Sequence, residues 1–411
     1  MPERRVVLTG IGPVTPVGIG VEEFWSSLLG GKSGIAPLTK FDVTAFPVKI
    51  AGEVKDFDVE KFLPPRRARR HERFSQFAFA AAKLALDHAG LESTDPDPAR
   101  VAIVVGTGIG GIALYEHEHE AMLERGPRFV SPELIAMMIP NAAAGLMAIE
   151  LGFTGPNECT VTACASSGHA IARAYDLLVN GAADVALAGG AEAAITPLAL
   201  ASFCSARALS TRNDEPEAAS RPFDADRDGF VFSEGSTMLV LETLESARAR
   251  GAKVLAEIIG YGLSSDAHHI VAPHPEGAGA ATAMTAALQR SEVLPEEVDY
   301  INAHGTSTPL GDVSEVKAIR KVFGNSPPPT SSTKSMTGHL LGAAGSTEVA
   351  AAALAMRDQQ LPPTINYETP DPECDLDVVP NRARPAKVEV ALSNSFGFGG
   401  HNASIVLAAA S

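Results

Sequence analysis

Short, continuous apolar runs recur along the chain and alternate with longer segments of helical periodicity. Runs without a polar face are typical of strands that other layers cover on both sides. Strands that alternate with helices favour an α/β fold with mostly parallel sheets. The predicted strands are residues 5–8, 101–105, 184–188, 237–241, 256–260, 388–393 and 404–407, and the clearest predicted helices are residues 75–90, 170–180 and 347–358.

The length and one interruption of this pattern predict two halves. The chain has 411 residues, which suits two domains or one large duplicated unit. A charged segment, residues 244–253, breaks the strand–helix pattern, which begins again after it. We place the boundary at residue 251, which gives an N-terminal half of residues 1–251 and a C-terminal half of residues 252–411. No clean sequence repeat relates the two halves.

Charge and cysteine content limit the partners and the setting of the protein. The formal net charge of -16 repels nucleic-acid backbones. No run approaches the roughly 18 apolar residues of a membrane span, and no secretory h-region follows the first residues. Four cysteines in so long a chain do not suggest a disulfide framework. We therefore expect a cytoplasmic protein that binds neither nucleic acid nor membrane.

The segment around Cys164 predicts a tight turn from a strand into a helix. Small residues follow the strand, and helical spacing then begins and ends before Gly181. Partial positive charge at a helix N-terminus stabilises a thiolate, so we expect a lowered pKa for Cys164. The alternative is that Cys164 is a small buried hydrophobe, as many free cysteines are. The other cysteines, Cys159, Cys204 and Cys374, lack this context.

Two histidines and a lysine lie in loops of small polar residues. His304 follows a predicted strand, and Lys334 and His339 precede an alanine-rich helix. Such loops are where functional residues of α/β sheets collect. A lone histidine is more often structural, so it is the combination of these residues that favours a site. Glu348, in an otherwise apolar helix, either pairs with Lys334 or an ordered cation, or faces water.

Other motifs give weaker signals. The glycine-rich segment 393–402 either directs N–H groups at an oxyanion or forms an ordinary hairpin. The segment 106–111 matches a dinucleotide fingerprint but lacks the acidic residue expected further along, so we reject nicotinamide binding. The segment 224–229 lacks the glutamate of a calcium loop. An arginine cluster either docks an anionic partner or pairs with the chain's own acids; its members are Arg66, Arg67, Arg69, Arg70 and Arg73.

Four of these motifs, taken in order, resemble the elongating β-ketoacyl-acyl carrier protein synthases, in particular the type II group of fatty acid synthesis. They are Thr-Ala-Cys164-Ala-Ser-Ser, Asn-Ala-His304-Gly-Thr-Ser-Thr, Ser-Thr-Lys334-Ser-Met-Thr-Gly-His339 and Asn-Ser-Phe-Gly-Phe398-Gly-Gly. The resemblance covers essentially the whole chain. It implies a thiolase-like fold, a five-layer αβαβα sandwich of two duplicated halves, that works as a homodimer. It also implies a 3-oxoacyl-[acyl-carrier-protein] synthase, an acyltransferase that extends acyl chains by decarboxylative Claisen condensation with malonyl units.

The resemblance assigns roles to residues of this chain. Cys164 would carry the acyl chain, and His304 and His339 would hold the malonyl thioester carbonyl as CO2 leaves. The backbone N–H groups of Cys164 and Phe398 would form the oxyanion hole. The other positions matched by motif are the supporting pair Lys334 and Glu348, the phosphopantetheine contacts Thr306 and Thr308, the acyl-pocket residues Ile109, Phe203 and Leu341, and the gate Phe398.

The partners are also implied by the resemblance. An acyl carrier protein would bring acyl and malonyl groups on its phosphopantetheine arm, so we expect no catalytic metal and no resident cofactor, apart from a structural Na+ or K+. The residues that would hold this cation are Asn302, Glu348, Ser393 and Asn394. The residues that would dock the carrier protein are Arg66, Arg67, Arg69, Arg70 and Arg207.

The sequence departs from the family pattern at His401, where many type II members have threonine; we expect an adjusted gate loop and unchanged chemistry. The pair of histidines argues against priming synthases, which combine His with Asn, and the lack of a second cysteine in the C-terminal glycine loop argues against a thiolase. Three alternatives remain: a polyketide ketosynthase, a non-catalytic acyl-carrier-binding subunit that sets chain length, and a cysteine hydrolase. Cys164 itself counts against the second, because such subunits replace the cysteine.

Overall fold

The computed structural model describes residues 4–91 and 96–410. Its strands are β1 Val6–Thr15, β2 Gly18–Ile19, β3 Ala36–Pro37, β4 Ile50–Ala51, β5 Val101–Gly106, β6 Asn157–Thr160, β7 Val185–Glu192, β8 Gly235–Thr243, β9 Ala256–Ser265, β10 Tyr300–Asn302, β11 Thr330–Ser331, β12 Gln360–Leu361, β13 Arg384–Pro385, β14 Val390–Gly397 and β15 His401–Ala408. Its α-helices are α1 Val21–Leu29, α2 Pro65–Ala68, α3 Arg73–Ala89, α4 Ile112–Arg125, α5 Leu134–Met138, α6 Ala142–Leu151, α7 Ser166–Val179, α8 Pro197–Ser205, α9 Leu244–Ala249, α10 Ala278–Arg290, α11 Pro309–Phe323, α12 Lys334–Thr337 and α13 Ala344–Asp358. All seven predicted strands and all three predicted helices are present, with several bounds shifted by a few residues.

One large sheet carries the fold, and its strand order repeats. The order is β11-β10-β14-β15-β9-β1-β8-β7-β5-β6, with β2 paired to β1. In the N-terminal half β5 lies parallel to β6 and β7, and β8 is antiparallel to its neighbours β1 and β7. The C-terminal half repeats this arrangement: β10 lies parallel to β11 and β14, and β15 is antiparallel to its neighbours β9 and β14. The halves meet where β1 and β9 pair antiparallel. The repeat confirms the predicted duplication, and the predicted boundary at residue 251 lies in the connection between β8 and β9.

The prediction of mostly parallel sheets is wrong. Antiparallel pairings predominate, because the fifth strand of each half runs back between the fourth and the first. In the C-terminal half a tight glycine turn joins β14 directly to β15, and so short a connection can only produce an antiparallel pair. A strand that is covered on both faces has the same apolar pattern in either direction, so hydropathy does not reveal this reversal.

Helices on both sides of the strands complete five layers. Helix α3 packs on β1, β7 and β8 from outside, and α10 packs on β9 and β15 from the opposite side. Between the two sets of strands lie α7 and α13, each of which contacts strands of both halves. Helix α13 is alanine-rich and buried along almost its whole length, so the strands of both halves approach it closely. This arrangement confirms the predicted five-layer αβαβα sandwich. Within the described residues, no helix combines the length and the apolarity needed to cross a membrane.

The two ends of the large sheet differ. At one end β11 is buried, and residues 360–385 fold over it. The Thr330 N–H donates to the Asp377 carbonyl oxygen (2.8 Å) and the Ser332 N–H to Thr364 Oγ1 (2.9 Å). At the other end β6 pairs only with β5 among the described residues, and Val161, which follows it, is 51% exposed. One edge of the sheet is therefore covered and the other is open.

Candidate active site

Cys164 lies at the entry to α7, the central helix of the N-terminal half. A single 3-10 turn, Ala163–Ala165, leads from the strand to the helix. Ala163 has a φ of 50°, a left-handed conformation that is unfavourable for a residue other than glycine. Ser166 Oγ stabilises the turn by donating to the Thr107 carbonyl oxygen (3.0 Å) and accepting from the Thr162 N–H (2.9 Å). The predicted tight turn at Cys164 is confirmed.

The predicted lowering of the thiol pKa is wrong. Burial raises the pKa of Cys164 to about 12, because the cost of desolvating a thiolate exceeds the stabilisation from the Lys334 charge and from the N–H groups of Phe398 and Cys164. The sequence shows the helix N-terminus but not the depth at which the sulfur lies. The resting nucleophile is therefore a thiol, which has to lose its proton as the substrate arrives.

Two backbone N–H groups converge on the sulfur. Those of Cys164 and Phe398 both act on it as hydrogen-bond donors. Gly397 makes this approach feasible, because a Cβ at that position would lie 3.0 Å from the Cys164 nitrogen and 2.8 Å from the Thr162 carbonyl oxygen. Gly399 follows with a φ of 82° and turns the chain back into β15. Two donors directed at one point are what a tetrahedral oxyanion requires.

His304 and His339 come from the C-terminal half and meet edge to face, with ring centroids 5.4 Å apart and ring planes at 84°. The His304 N–H donates to Glu315 (2.8 Å) and the His339 N–H to the Val231 carbonyl oxygen (2.8 Å), which fixes both backbones. Burial, and next the charge of Lys334, lower the pKa of both imidazoles well below the ordinary value. Both rings are therefore neutral at physiological pH, and each has one N–H to donate.

Lys334 and Glu348 form a buried ion pair, with 2% of each side chain exposed. Lys334 Nζ also donates to the His304 carbonyl oxygen (2.6 Å) and lies 3.5 Å from His304 Nδ1. An ammonium beside Nδ1 favours the tautomer whose proton is on Nε2. Burial raises the pKa of Glu348 to about 7, although the lysine acts in the opposite direction. The predicted pairing of Glu348 with Lys334 is confirmed, and the alternative, that it faces water, is wrong.

A cavity of about 600 Å³ brings these side chains together. Cys164, His304 and His339 all line it, although they come from three separate loops. It is bounded elsewhere by phenylalanines, and the Phe203 ring packs edge-on against Phe230 at 5.4 Å. The other predicted site residues that line it are Ile109, Thr306, Thr308, Leu341, Phe398 and Arg207. Their position around one cavity is established, and the individual roles assigned to them stay predictions.

Two buried carboxylates near the cavity were not predicted. Glu315 accepts from the N–H groups of His304 (2.8 Å) and Gly305 (2.7 Å), and burial raises its pKa to about 7. Glu192 accepts from the glycine loop at 107–109, so in this structure the fingerprint-like segment holds a carboxylate of the chain itself. Neither residue has a local signature, because one lies inside a helix and the other at the end of a strand. The one sequence signal for Glu192 is that an acidic residue ends an otherwise apolar run, which predicts a buried carboxylate.

Some arginines of the cluster pair with the chain's own acids, and others remain available to dock an anionic partner. Arg67 pairs with Glu150, and Arg70 pairs with Glu133. Within the described chain, no side-chain partner is found for the exposed Arg66 and Arg69. The four exposed arginines on and beside α2 are Arg66, Arg67, Arg69 and Arg70.

Two further arginines lie apart from this cluster. Arg73 is half-buried, 3.3 Å from Glu234 and with its guanidinium 4.5 Å from the centroid of the Phe77 ring, so it follows the interpretation in which the arginines pair with the chain's own acids. Arg207 is exposed and lines the cavity, with a φ of 53°.

Three buried oxygen atoms beside the ion pair lack hydrogen-bond partners: Asn302 Oδ1, Glu348 Oε2 and Ser393 Oγ. Oxygen donors of this kind fit a hard cation. Asn394 fits less well through its side chain, because its Oδ1 already accepts from Ser404 Oγ (2.8 Å). In the described ranges, no cluster of three His, Cys, Asp or Glu side chains could hold a metal ion.

The gate segment, residues 398–401, is fixed by contacts on the side away from the cavity. The Gly399 N–H donates to the Ile270 carbonyl oxygen (2.8 Å). His401 meets the ring of His169, on α7, edge-on at 6.3 Å. His401, which replaces the threonine of many type II members, therefore brings the gate segment into contact with the helix that follows Cys164. Its effect on the gate stays a prediction.

Comparison with known proteins agrees with this geometry. Residues 3–247 match the family described as Beta-ketoacyl synthase, N-terminal domain, and residues 255–368 match Beta-ketoacyl synthase, C-terminal domain. The chain is 52% identical to "3-oxoacyl-[acyl-carrier-protein] synthase 2" of Synechocystis sp., covering 98% of this chain and 97% of that protein. Among solved structures, "The ishigamide ketosynthase/chain length factor" is 40% identical with a TM-score of 0.94 and complete coverage of both chains. A second, the ketosynthase of "AntDE:AntF (apo): type II PKS acyl-carrier protein in complex with its ketosynthase bound to the hexaketide", is 35% identical with a TM-score of 0.90, covering 99% and 100%. The chain therefore belongs to the β-ketoacyl synthase family, in its thiolase-like fold.

Proposed function

We propose that the protein is a 3-oxoacyl-[acyl-carrier-protein] synthase that lengthens acyl chains in fatty acid synthesis. One observation carries this proposal: a buried thiol, two N–H donors and two neutral imidazoles line a single largely apolar cavity. The thiol can hold an acyl group, and the imidazoles can stabilise an enolate. The name of the Synechocystis relative, which matches along nearly the whole chain, supports the same activity.

The first half-reaction transfers an acyl group to Cys164. The sulfur attacks the carbonyl carbon of the acyl-carrier thioester, and the negative charge that develops on the oxygen meets the N–H groups of Cys164 and Phe398. The bond to the carrier's sulfur then breaks, and the carrier leaves as a thiol with the proton that Cys164 gives up. Because the Cys164 thiol is buried, its proton has to leave during the attack rather than before it.

The second half-reaction forms the carbon–carbon bond. The malonyl carboxylate leaves as CO2, and the electron pair of the broken bond forms an enolate whose oxygen accepts from His304 and His339. Neutral imidazoles suit this step, since charge reaches that oxygen only as CO2 departs. The enolate carbon attacks the acyl group on Cys164, and the carbon–sulfur bond breaks. The Cys164 thiolate then takes a proton from solvent water, which restores the thiol. The product is a 3-ketoacyl chain two carbons longer on the carrier.

An acyl carrier protein is the partner that this chemistry needs. The solved ketosynthase AntDE was captured with its carrier protein. In this chain, Arg207 at the cavity and the exposed Arg66 and Arg69 offer positive charge to an acidic carrier. Thr306 and Thr308, whose hydroxyls lie 3.0 Å apart beside the cavity, are placed to contact its phosphopantetheine arm.

A homodimer is part of the proposal, and the open edge of the sheet supports it. Helices α4 to α6 next to that edge expose large apolar side chains: Leu123 is 70%, Ile135 65% and Ile149 75% exposed. A second copy that paired its own β6 across a two-fold axis would extend the sheet and cover these side chains. Light scattering of the purified protein tests this, with a mass of two chains expected.

A structural Na+ or K+ would fit the three unpartnered oxygens of Asn302, Glu348 and Ser393. Such an ion would supply positive charge beside Glu348 and take no part in bond making. We also include a cytoplasmic location in the proposal, since all four cysteines are free thiols.

The second candidate is a polyketide ketosynthase, because one similar solved structure is named as the ketosynthase of a type II PKS bound to a hexaketide. Another similar structure is named as a ketosynthase with a chain length factor. The higher identity to the "3-oxoacyl-[acyl-carrier-protein] synthase 2" of Synechocystis favours the first candidate. Incubation of the purified protein with only carrier-bound acyl and malonyl groups would separate them. A single condensation that stops at the 3-ketoacyl product favours the first candidate, and repeated condensation without reduction favours the polyketide ketosynthase.

The direct test is to incubate the protein with acyl carrier thioester and weigh it. One acyl group should be added per chain, and Cys164→Ala should not gain it. The His339→Ala variant should still be acylated at Cys164. Its rate of decarboxylation of malonyl groups on the carrier protein should be severely reduced. Cys374→Ala, which alters a buried thiol away from the cavity, is the matched control and should behave like the parent protein. Equal acylation of Cys164→Ala would disprove the assignment of the nucleophile.

A further inference from the structure

Glu192 is a buried carboxylate whose partners are all uncharged. It ends β7 and is 0% exposed. A buried charge is normally paired with an opposite charge or neutralised, because desolvation is costly. Within the described residues, the groups that bond it are three backbone N–H groups and one hydroxyl. Each of these groups donates, which matches a carboxylate rather than a carboxylic acid.

The donors come from two different halves of the fold. From the N-terminal half, the N–H groups of Gly108 (2.6 Å) and Ile109 (3.2 Å) and the hydroxyl of Thr107 (3.0 Å) reach the carboxylate. From the C-terminal half, the N–H of Gly342 reaches it at 3.0 Å. The carboxylate thus joins the loop 107–109 to the turn Leu341–Ala343.

Each of these segments carries one wall of the cavity. Ile109 and Leu341 both line it, and Leu341 is only two residues beyond His339. The segments are in close contact around the carboxylate: a Cβ on Gly342 would lie 2.3 Å from the Gly108 nitrogen. Any change in the carboxylate therefore moves these two walls with respect to each other.

Comparison of the two duplicated halves shows that Glu192 occupies the position equivalent to the substrate oxygen of the other half. Cys164 and Gly342 each occupy the middle of a 3-10 turn that leads into a central helix, and each follows a residue with left-handed φ, 50° at Ala163 and 47° at Leu341. In the N-terminal half the N–H at this position faces the substrate oxygen in the proposed reaction. In the C-terminal half the equivalent N–H faces Glu192. Burial raises the pKa of Glu192, and its hydrogen bonds from Gly108, Gly342 and Thr107 act in the opposite direction. Glu192 thus supplies an internal carboxylate at the position where the other half accepts a transient oxyanion.

We propose that Glu192 is a positioning residue that fixes the separation of the Ile109 and Leu341 walls and thereby the acyl lengths that the cavity accepts. The inference rests on the proposed condensing function. The charge of Glu192 also acts on the nucleophile, since it is one of the groups that raise the pKa of Cys164. Removing the charge should therefore make the thiol easier to ionise, an effect that does not depend on any acyl substrate.

Glu192→Gln tests the proposal, because glutamine has the same shape but lacks the second acceptor oxygen and the charge. We expect transfer of long acyl groups to Cys164, such as sixteen-carbon chains, to slow by about tenfold or more, with a smaller loss for eight-carbon chains. Alkylation of Cys164 by iodoacetamide at pH 8 should become about threefold faster or more, because the charge that is removed is one of the groups that raise the pKa of Cys164.

Glu242→Gln is the matched control. Glu242 is equally buried, at the far end of the neighbouring strand β8, and pairs with Arg250 away from the cavity. This variant should lose stability but keep the parent's acyl-length profile and alkylation rate. Thr107→Val removes one donor and keeps the charge, so it should change the length profile without accelerating alkylation.

The outcomes separate the two proposals. If Glu192→Gln shows the same length profile and alkylation rate as Glu242→Gln, the positioning role is refuted. If Glu192→Gln does not fold, Thr107→Val decides, and an unchanged length profile in that variant refutes the role. If the parent protein takes up no acyl group at all, the condensing function fails, and the alkylation rates still show whether the charge of Glu192 acts on the sulfur.

Discussion

The buried pair of Lys334 and Glu348 allows stability and chemistry to be separated by mutation. Glu348→Gln removes the carboxylate that pairs with the buried Lys334 and leaves it the neutral carbonyl oxygen of His304 as an acceptor. Removing one partner of a buried ion pair costs about 3–5 kcal/mol. The glutamine oxygen still accepts a hydrogen bond, which returns about 1.5 kcal/mol. We expect the free energy of unfolding to fall by about 1.5–3.5 kcal/mol, measured by urea denaturation.

The functional effect of the same substitution follows from the contact between Lys334 and His304. A lysine that shifts away from Nδ1 no longer favours the proton on Nε2, so decarboxylation of malonyl carrier should slow by about tenfold or more. Acylation of Cys164 should change less, because its N–H donors belong to other segments.

The double variant Lys334→Met, Glu348→Leu provides the decisive comparison. Replacing a whole buried pair with apolar side chains of similar volume is often neutral or stabilising, so the stability should return to near that of the parent protein. Decarboxylation should stay slow, because the donor to His304 is gone. A change of less than about 1 kcal/mol in Glu348→Gln, or a double variant that decarboxylates at the parent rate, would refute the reasoning.

Three further predictions address the thiol, the N–H donors and the docking surface. Because burial raises the pKa of Cys164, its alkylation by iodoacetamide should accelerate about tenfold per pH unit from pH 7 to pH 9; a plateau in this range would contradict the raised pKa. Gly397→Ala should slow acylation of Cys164 by about 100-fold, as measured by mass, because the added Cβ displaces the turn that aims the N–H groups; an unchanged rate would show that the turn yields freely. Arg207→Glu should raise KM for carrier-bound malonyl groups but leave decarboxylation of malonyl-pantetheine unaffected, and equal losses on both substrates would argue against docking.

The sequence predicts what is encoded locally. The turn at Cys164, the helix after it and the loops of His304 and His339 all depend on spacing, small residues and glycine placement, and all are found. Strand direction is not encoded locally, because a strand covered on both faces has the same apolar pattern in either direction. The duplication likewise appears in the strand order and in the equivalent 3-10 turns but not in the sequence, since equivalent positions hold unrelated residues such as Cys164 and Gly342.

Depth and long-range contacts account for the remaining differences. The pKa of Cys164 depends on how much chain covers the sulfur, and helix position alone predicts the wrong direction. Two of the surface arginines are neutralised by Glu133 and Glu150, which lie far away in sequence. Glu192 gains its significance from donors in two loops that no pattern connects with it.

The covered edge of the large sheet limits how many copies can join. Unpaired strands at both ends would let one molecule template the next and produce a growing fibre. Residues 360–385 close one end, so among the described strands of the large sheet β6 is the one left open to strand addition. When a single neighbour occupies that edge with its own β6, neither molecule has a free strand left to continue. The segment over β11 therefore terminates polymerisation, and truncating it would expose an aggregation-prone surface.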